Sequence, residues 1–180
     1  EVITPDWLQE MLMFVQRKDV GAAGAMLYYP DDSIQHAGVI LGIGGVAGHA
    51  HKGMARGSYG YMSRAAIIQN YSAVTAACML IRRNVWEEVG GLDESFEVAF
   101  NDVDMCMRIR KAGYLIVWTP YAELYHYESK SRGSEDTPEK QKRFEGEVRR
   151  FQERWRAELE AGDPYYSPNL TLKAEDFTAR

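Results

Sequence analysis

The sequence is poor in the features that mark several large classes of protein. It contains only two cysteines, Cys78 and Cys106, and each lies in an apolar run. Two such thiols exclude a disulfide framework and a zinc knuckle, and they indicate reduced, buried cysteines in a cytosolic protein. No apolar run approaches the roughly 18 residues that span a bilayer, and no signal-peptide pattern is visible. The sequence therefore predicts a cytoplasmic protein with no transmembrane segment.

Positive charge is also in short supply. The chain has 21 Lys and Arg against 26 Asp and Glu, which gives a formal net charge of −5. Attraction to phosphates dominates nonspecific binding to nucleic acids, so an acidic chain is a poor candidate for that function. We therefore expect no nucleic-acid partner.

The residues that are abundant predict a globular domain. Hydrophobic residues make up 46% of the chain and charged residues 26%, which is ordinary for a soluble protein. The length of 180 residues fits one domain that can bury most of a core. The 11 Tyr and 4 Trp suit a groove that stacks on a sugar ring, and they suit a well-filled core equally well.

Strand patterns and helix patterns alternate along the chain. Apolar and β-branched runs predict strands over residues 21–27, 34–41, 71–81, 114–119 and 123–128. Helical spacing predicts helices that start at Thr4-Pro5-Asp6, with Thr4 as the cap, and that cover residues 84–89, 102–112 and 138–159. This alternation predicts an α/β sheet of about five strands with helices on its faces.

A glycine-rich stretch, residues 38–60, predicts a long mobile loop. Within it, residues 42–47 match the G-x-G-x-x-A pattern of a dinucleotide-binding turn. Such a turn needs a following helix whose N-terminus faces the pyrophosphate, and Gly48-His49-Ala50-His51 follows instead. We therefore expect the main site of any bound nucleotide to lie elsewhere.

Two carboxylates lie at the start of the helix predicted over residues 102–112. A base that takes a proton from a sugar hydroxyl must be held rigidly and face a cleft, and a helix start meets that need. In the alternative interpretation, Asp102 and Asp104 only cap the helix and complement its dipole, which would contribute about 1–2 kcal/mol. The spacing of the two carboxylates alone favours the capping interpretation over the catalytic one.

The last predicted strand carries His126, with Glu128 two residues further on. This histidine could coordinate a divalent metal, or it could be a partly buried side chain bonded to backbone, which the pattern alone favours. Beyond it, Ser129 and Arg132 belong to a polar, basic loop that could bind a diphosphate or form solvated surface.

A third candidate site consists of His36, His49 and His51. His49 and His51 fall on one side of an extended chain, and together with His36 they could bind a metal. Against this, the pair at 49 and 51 lies in the glycine-rich stretch with no carboxylate or cysteine nearby. A metal hydrolase built on these residues would bind zinc tightly and would lose it in His49→Ala.

Taken together, the segments resemble the C-terminal half of family-2 glycosyltransferases, particularly the bacterial rhamnosyltransferase-like and O-antigen type. The resemblance lies in residues 34–39, 48–51, 74–83, 90–94, 101–104, 120–133 and 163–170. These segments cover essentially the whole chain in the right order, which is more specific than any single motif.

The resemblance implies a partial GT-A fold, an α/β sandwich with a mixed sheet, flanking helices and a long C-terminal helix. It implies that Asp102 is the catalytic base, which deprotonates an acceptor hydroxyl for in-line, inverting attack on the anomeric carbon of the donor. It implies that His126 completes the metal coordination. It also implies that Thr75 and Ala76 are small residues beside the donor sugar.

The remaining site residues also follow from the resemblance. Trp118 would stack on the acceptor, unless it belongs to the core, and Asn101 and Asp104 would lie in the same subsite. Ser129 and Arg132 would contact the donor. The family often has Glu where this chain has Asn101, and an asparagine cannot share a proton or bind a cation as a carboxylate does.

The family's nucleotide pocket and its metal-binding Asp-x-Asp motif are absent from the sequence. We therefore expect residues 1–135 to be the acceptor-side half of a glycosyltransferase domain, unable to transfer sugar alone. A divalent metal, Mn²⁺ or Mg²⁺, is expected only with the missing half. The expected partners are a nucleotide-sugar donor and a saccharide acceptor, such as a growing cell-surface polysaccharide.

Residues 136–180 are expected to form an amphipathic helix and an irregular tail. The apolar stripe of this helix consists of Phe144, Val148, Phe151, Trp155 and Leu159. The stripe either packs back on the domain or provides a surface for a homodimer or for an assembly at the inner face of the membrane. The pattern does not separate these alternatives.

A noncatalytic carbohydrate-binding or scaffold module competes with the enzyme. Its aromatic residues would form the binding platform, its sugar affinity would not need a metal, and Asp102→Asn would have no effect on activity. The collinear resemblance favours the glycosyltransferase over this module and over the metal hydrolase.

Overall fold

The computed structural model describes residues 1–127 and 137–180 and shows a mixed α/β fold, as predicted. Its helices are α1 (Trp7–Val15), α2 (Arg83–Val89), α3 (Asn101–Lys111), α4 (Pro138–Arg154) and α5 (Arg156–Ala161). Its strands are β1 (Val20–Tyr28), β2 (Ile34–His36), β3 (Val39–Leu41), β4 (Ala47–His49), β5 (Gln69–Asn70), β6 (Met79–Ile81) and β7 (Leu115–Tyr125). A five-stranded sheet contains β1, β2, β5, β6 and β7, and β3 and β4 form a separate two-stranded sheet.

Strand β1 is the centre of the larger sheet, and it is buried along its whole length. It pairs in parallel with β7 and antiparallel with β2 and β6, so the sheet is mixed. At Gly24 a Cβ atom would approach the Val74 side chain within 2.5 Å, so this close contact requires a glycine. The buried strand predicted over residues 21–27 is confirmed.

The single strand predicted over residues 34–41 is wrong, because the chain turns at Gly38. This residue has a φ of +98°, and a Cβ atom on it would lie 2.3 Å from the ring of Tyr71. Strand β2 therefore ends at His36 in the larger sheet, and β3 begins at Val39 in the smaller one.

The glycine-rich stretch predicted as a long loop begins with a β-hairpin. Val39 of β3 pairs with His49 of β4, and Leu41 pairs with Ala47. The G-x-G-x-x-A match is the turn between these strands, and no helix follows it directly. The C-terminal tail is hydrogen-bonded to the hairpin, since the Leu41 N–H donates to Asp163 Oδ2 at 2.7 Å.

The strand predicted over residues 71–81 is wrong in all but its last three residues. Thr75 Oγ1 accepts a hydrogen bond from the Ala77 N–H, and Ala76–Cys78 form a 3₁₀ turn. A threonine that bonds its own backbone in this way competes with strand pairing. Only Met79–Ile81, strand β6, pair with β1 in this stretch.

Strand β7 joins two predicted strands, residues 114–119 and 123–128, into one. Its pairing with β1 shifts from Gly24–Trp118 to Met26–Glu123, so residues 119–122 bulge out of the ladder. Pro120 lies in this bulge, where its missing N–H interrupts no regular pairing.

Three predicted helices are confirmed with adjusted ends. Helix α2 ends at Gly90, with a φ of +79°, and Gly113 follows α3 with a φ of +96°. Helix α1 begins at Trp7, and Thr4 is not its cap. The Thr4 hydroxyl instead accepts a hydrogen bond from the Glu123 N–H, which ties the start of the chain to β7.

The long helix predicted over residues 138–159 is divided at Trp155, where a φ of −109° separates α4 from α5. Phe151 and Trp155 are buried in the main core, and the Phe151 ring meets Phe96 edge-on. This end of the apolar stripe packs on the domain, as one of the alternatives predicted, whereas Phe144 stays 44% exposed. Within the described residues, no helix combines the length and the apolar character that crossing a membrane requires.

Helices α3 and α4 are tied together by one fully buried carboxylate, that of Asp104. Its Oδ2 accepts a hydrogen bond from Arg108 Nε at 2.9 Å. Its Oδ1 accepts one from Arg154 Nη1 and one from Trp155 Nε1, both at 2.9 Å. A buried charge is tolerated only when it is paired and hydrogen-bonded, so Asp104 has a structural role.

We expect Asp104→Asn to lower the free energy of unfolding by about 3–5 kcal/mol, because two guanidinium groups would then face a neutral amide in a buried site. The control is Glu87→Gln, which breaks a pair of the same i,i+4 spacing with Arg83 at the surface. That change should cost about 0.5 kcal/mol or less. Urea denaturation measures both, and equal losses would contradict the structural role of Asp104.

Candidate active site

Asp102 connects the start of α3 to the 3₁₀ turn before β6. Its Oδ2 accepts a hydrogen bond from the Ala76 N–H at 3.0 Å, and its Oδ1 accepts one from the Val103 N–H at 2.8 Å. The N-cap position is occupied by Phe100, whose side chain makes no capping bond. The capping interpretation therefore holds for one carboxylate oxygen only, and the other oxygen binds a separate segment of the chain.

Thr75 and Ala76, the residues predicted to lie beside the donor, belong to the turn that Asp102 binds. The Thr75 N–H donates to His36 Nε2 at 3.4 Å, and His36 Nδ1 lies 2.8 Å from His49 Nδ1. A continuous set of hydrogen bonds thus connects β2, the β3–β4 hairpin, this turn and α3.

His126 follows β7 directly and is oriented by Gln35 of β2. The Gln35 amide nitrogen donates to the His126 carbonyl at 3.2 Å, so the amide oxygen is the atom that lies 2.7 Å from His126 Nδ1. An amide oxygen only accepts hydrogen bonds, so His126 Nδ1 carries a hydrogen, and in the neutral ring Nε2 has the lone pair. Metal-binding histidines are oriented by a partner in the same way.

Two cavities bring the predicted base and the predicted metal ligand to one region. The first, of about 130 Å³, is lined by Val39, Ala47, Gly48, His49, Phe100, Asp102 and Val103. The second, of about 60 Å³, is lined by Tyr29, Gln35, His49, Lys52, Thr75 and His126. His49 lines both cavities, so Asp102 and His126 each share a cavity wall with this histidine.

Two residues predicted to bind the acceptor are buried instead. Trp118 is fully buried, with its ring edge-on to Tyr71 and its Nε1–H donating to the Ala25 carbonyl at 3.1 Å. Asp104 is enclosed by its arginine partners and Trp155. Neither side chain can touch an acceptor in this arrangement, so the acceptor-binding predictions for these two residues are wrong.

The other predicted contacts have different outcomes. Asn101 is the first residue of α3 and is partly exposed beside Asp102. Ser129 and Arg132 lie outside the described residues, as does Glu128, so their predicted roles stay predictions.

The predicted site of three histidines is wrong. His36 and His49 bond to each other through Nδ1, but His51 has a φ of +60° and stacks on Phe177, with ring centroids 4.2 Å apart. In the part of the chain that the structure describes, no group of three or more His, Cys, Asp or Glu side chains could hold a metal ion. The described residues therefore provide no site for the metal hydrolase hypothesis.

Sequence reasoning missed two residues of this region, Gln35 and Lys52. Gln35 lies in the segment 34–39 that carries the family resemblance, so a signal for it existed. Lys52 is exposed and lines the cavity of His126, where its ammonium group can attract an anion. Nothing in the sequence pattern distinguishes it from other surface lysines.

Residues 1–153 match the family model described as glycosyltransferase-like family 2. The chain belongs to this family. The mixed sheet with helices on its faces corresponds to the GT-A-like domain that the resemblance implied. Membership of glycosyltransferase-like family 2 is thus supported by the sequence segments and by the fold.

Several relatives are much longer than the chain. An uncharacterized protein of Sinorhizobium fredii, y4gI, is 56% identical over 98% of this chain and 20% of its own length. The O-antigen biosynthesis protein RfbC of Myxococcus xanthus is 38% identical over 98% of the chain and 14% of its own length. An N-acetylglucosaminyl-diphospho-decaprenol L-rhamnosyltransferase of Mycobacterium tuberculosis is 40% identical over 33% of the chain and 20% of its own length. The chain spans about a fifth or less of these relatives.

His51 lies in a buried environment that disfavours its charged form. Burial, and secondly the charge of Arg64, lower the pKa of His51 from 6.5 to about 4. Between these two values the unfolded chain binds a proton that the folded protein does not. The contribution of His51 to stability is therefore fully present above pH 6.5 and is lost as the pH falls toward 4.

We expect the free energy of unfolding to fall more steeply in the wild type than in His51→Gln when the pH is lowered from 6.5 to 4. The difference should reach about 3 kcal/mol, because glutamine does not titrate. Urea denaturation at several pH values measures both slopes, and comparing slopes cancels any change in packing. Parallel curves would contradict the lowered pKa.

Proposed function

We propose that the protein transfers a sugar from a nucleotide-diphospho-sugar to a saccharide acceptor, with inversion at the anomeric carbon, in the synthesis of a cell-surface polysaccharide. Family membership supports glycosyl transfer. The names of two relatives refer to O-antigen biosynthesis and to rhamnosyl transfer. The observation that carries the proposal is that Asp102 and His126 line two cavities that share His49.

Asp102 is the proposed general base. Its carboxylate lines the first cavity and is oriented by two backbone N–H groups, which are rigid partners. Asp102 would accept the proton of the acceptor hydroxyl while that oxygen bonds to the anomeric carbon. The bond between the anomeric carbon and the diphosphate oxygen breaks on the opposite face, and its electron pair leaves with the nucleoside diphosphate. Attack on one face and departure from the other invert the configuration.

The leaving diphosphate is proposed to face His126 and Lys52 across the second cavity. The Lys52 ammonium would attract the phosphate oxygens. Of the described residues, His126 would be a ligand of a divalent cation, Mn²⁺ or Mg²⁺, and the donor's phosphates and the Asp-x-Asp motif expected outside residues 1–180 would supply further ligands. Such a cation would neutralise charge that develops on the departing diphosphate.

The sugars are proposed to lie between these two groups. Thr75 and Ala76 are small, and the exposure of Ala76 lets a donor sugar approach the backbone closely. Asn101 is the acceptor contact that remains after Trp118 and Asp104 are excluded, because it is partly exposed beside the proposed base.

We expect Asp102→Asn to lower kcat at least 100-fold in the full-length protein, because an amide cannot take the proton and a general base contributes about 10²–10⁴-fold. The KM for the donor should change by less than about threefold, since the substitution keeps the shape of the side chain. The measurement is nucleotide-sugar turnover under steady-state conditions.

The matched control is Asp176→Asn, an exposed aspartate that bonds Thr178 in the tail. It should turn over like the wild type. If Asp102→Asn does so too, Asp102 is a structural residue of α3, and the noncatalytic carbohydrate-binding module becomes the better interpretation.

We expect His126→Ala to raise the concentration of Mn²⁺ or Mg²⁺ needed for half-maximal activity at least tenfold, because it removes the proposed ligand. Gln35→Leu should have a smaller effect of the same kind, since it keeps the imidazole and removes the bond that orients it. A metal titration of activity measures both. The role of His126 fails if its metal requirement equals that of the wild type.

A further inference from the structure

The exposed end of the apolar stripe of α4 borders a cavity next to the proposed base. This cavity has a volume of about 530 Å³ and is lined in part by Val46, Ala47, Phe100, Phe144 and Val148. Ala47 and Phe100 also line the cavity of Asp102, so the two cavities are neighbours. We call the larger of these two cavities the α4 groove.

Phe144 gives the α4 groove an accessible aromatic ring. The residue is 44% exposed, and its ring lies against Phe100, with centroids 5.8 Å apart and ring planes tilted by 35°. Phe100 in turn contacts the buried ring of Phe151, with centroids 5.3 Å apart. The core therefore supports the Phe144 ring on one side, and the exposed part of the ring is available to a ligand.

Two exposed charged residues, Glu145 and Arg149, also line the α4 groove. They lie one helical turn apart, but within residues 1–127 and 137–180 neither side chain forms an ion pair or a hydrogen bond. Their polar groups are therefore available to a ligand in the groove. Arg149 also lines a further cavity of about 510 Å³, together with Gln152, Glu153 and Arg156, so charged and polar groups continue along the helix.

A sugar ring matches this combination of an aromatic surface and charged groups. The C–H groups on one face of the sugar pack on an aromatic ring, and its hydroxyls bond to a carboxylate or a guanidinium group. An alkyl chain in the same groove would shield Glu145 and Arg149 from water without offering them a hydrogen bond. The lining of the groove therefore favours a saccharide over an apolar chain.

We propose that the α4 groove binds the second sugar of the saccharide acceptor, with Phe144 as the stacking surface and Glu145 and Arg149 as partners of the hydroxyls. This inference rests on the proposed function, because the attacking hydroxyl then lies at Asp102. The sugar that is joined to the attacking sugar lies in the neighbouring cavity, which is the α4 groove. The protein therefore extends an existing chain of sugars more readily than it adds to a single sugar.

The test compares acceptors of different length in assays of the full-length protein. Saccharides of one, two and three sugars are prepared by partial hydrolysis of the cell-surface polysaccharide of the organism that makes the protein, and a panel of UDP-, GDP- and dTDP-linked sugars supplies the donor. In the wild type we expect kcat/KM to be at least about tenfold higher for a disaccharide than for a monosaccharide, because the second sugar adds its contacts with the groove.

In Phe144→Ala we expect the KM for the disaccharide to rise about three- to tenfold, the effect of losing one aromatic contact. The KM for the donor should stay within about twofold of the wild type, since the donor does not reach the groove. In Phe144→Trp, which keeps an aromatic surface, the KM for the disaccharide should also stay within about twofold. The tryptophan at position 144 gives a second readout without turnover, because its fluorescence should change when the disaccharide binds.

The matched control is Met13→Ala, which removes another exposed apolar side chain from a helix. Met13 is 50% exposed on α1, a helix that packs against a separate core cluster. This variant should have the same KM for the disaccharide as the wild type.

The outcomes that overturn the inference differ from the outcome that overturns the proposed function. With an active wild type, equal kcat/KM values for one and two sugars, or an unchanged KM in Phe144→Ala, would exclude the second sugar from the α4 groove. An octyl monosaccharide with the KM of the disaccharide and the same dependence on Phe144 would make an apolar chain the occupant. A wild-type dimer that becomes monomeric in Phe144→Ala, measured by light scattering, would make the groove an interface between two copies. A wild type that transfers no sugar to any acceptor would overturn the proposed glycosyl transfer itself.

Discussion

Strand β1 is the constraint on which the rest of the structure depends. It is buried along its whole length, so its backbone N–H and C=O groups need partners from other strands. Three strands supply them, and each brings one part of the candidate site with it. Strand β2 carries Gln35 and His36, the turn before β6 carries Thr75 and Ala76, and β7 leads to His126. The site is thus assembled at the ends of the strands that pair with β1.

Hydrogen bonds to rigid groups then orient the reactive side chains. The Ala76 N–H binds Asp102, Gln35 binds His126, and His36 binds His49. A site oriented in this way needs little reorganisation during a reaction. Two carboxylates of helix α3 are directed differently, although they are close in the sequence. Asp104 lies only two residues from Asp102, and its side chain is directed into the core.

The fold class could be predicted because apolar spacing and glycine caps are local properties of a sequence. The interruptions of the strands predicted over residues 34–41 and 71–81 could not be predicted in this way. The first depends on the Tyr71 ring packing on Gly38, and the second depends on the Thr75 side chain bonding the backbone. Of the site, Asp102 and His126 were predicted through the family resemblance and not through spacing. The histidine pair and the burial of two predicted acceptor contacts depend on segments far apart in the chain, which no local pattern reveals.

The most direct test of the proposed site is a crystal structure of the full-length protein with a non-reactive nucleotide-sugar analogue and Mn²⁺. We expect the anomeric carbon to lie between the Asp102 carboxylate and His126. The chain also has a cleft of about 600 Å³ at the other end of α3, lined in part by Arg110 and Tyr165. A sugar bound in that cleft, with no contact to Asp102 and remote from His126, would contradict the proposed site.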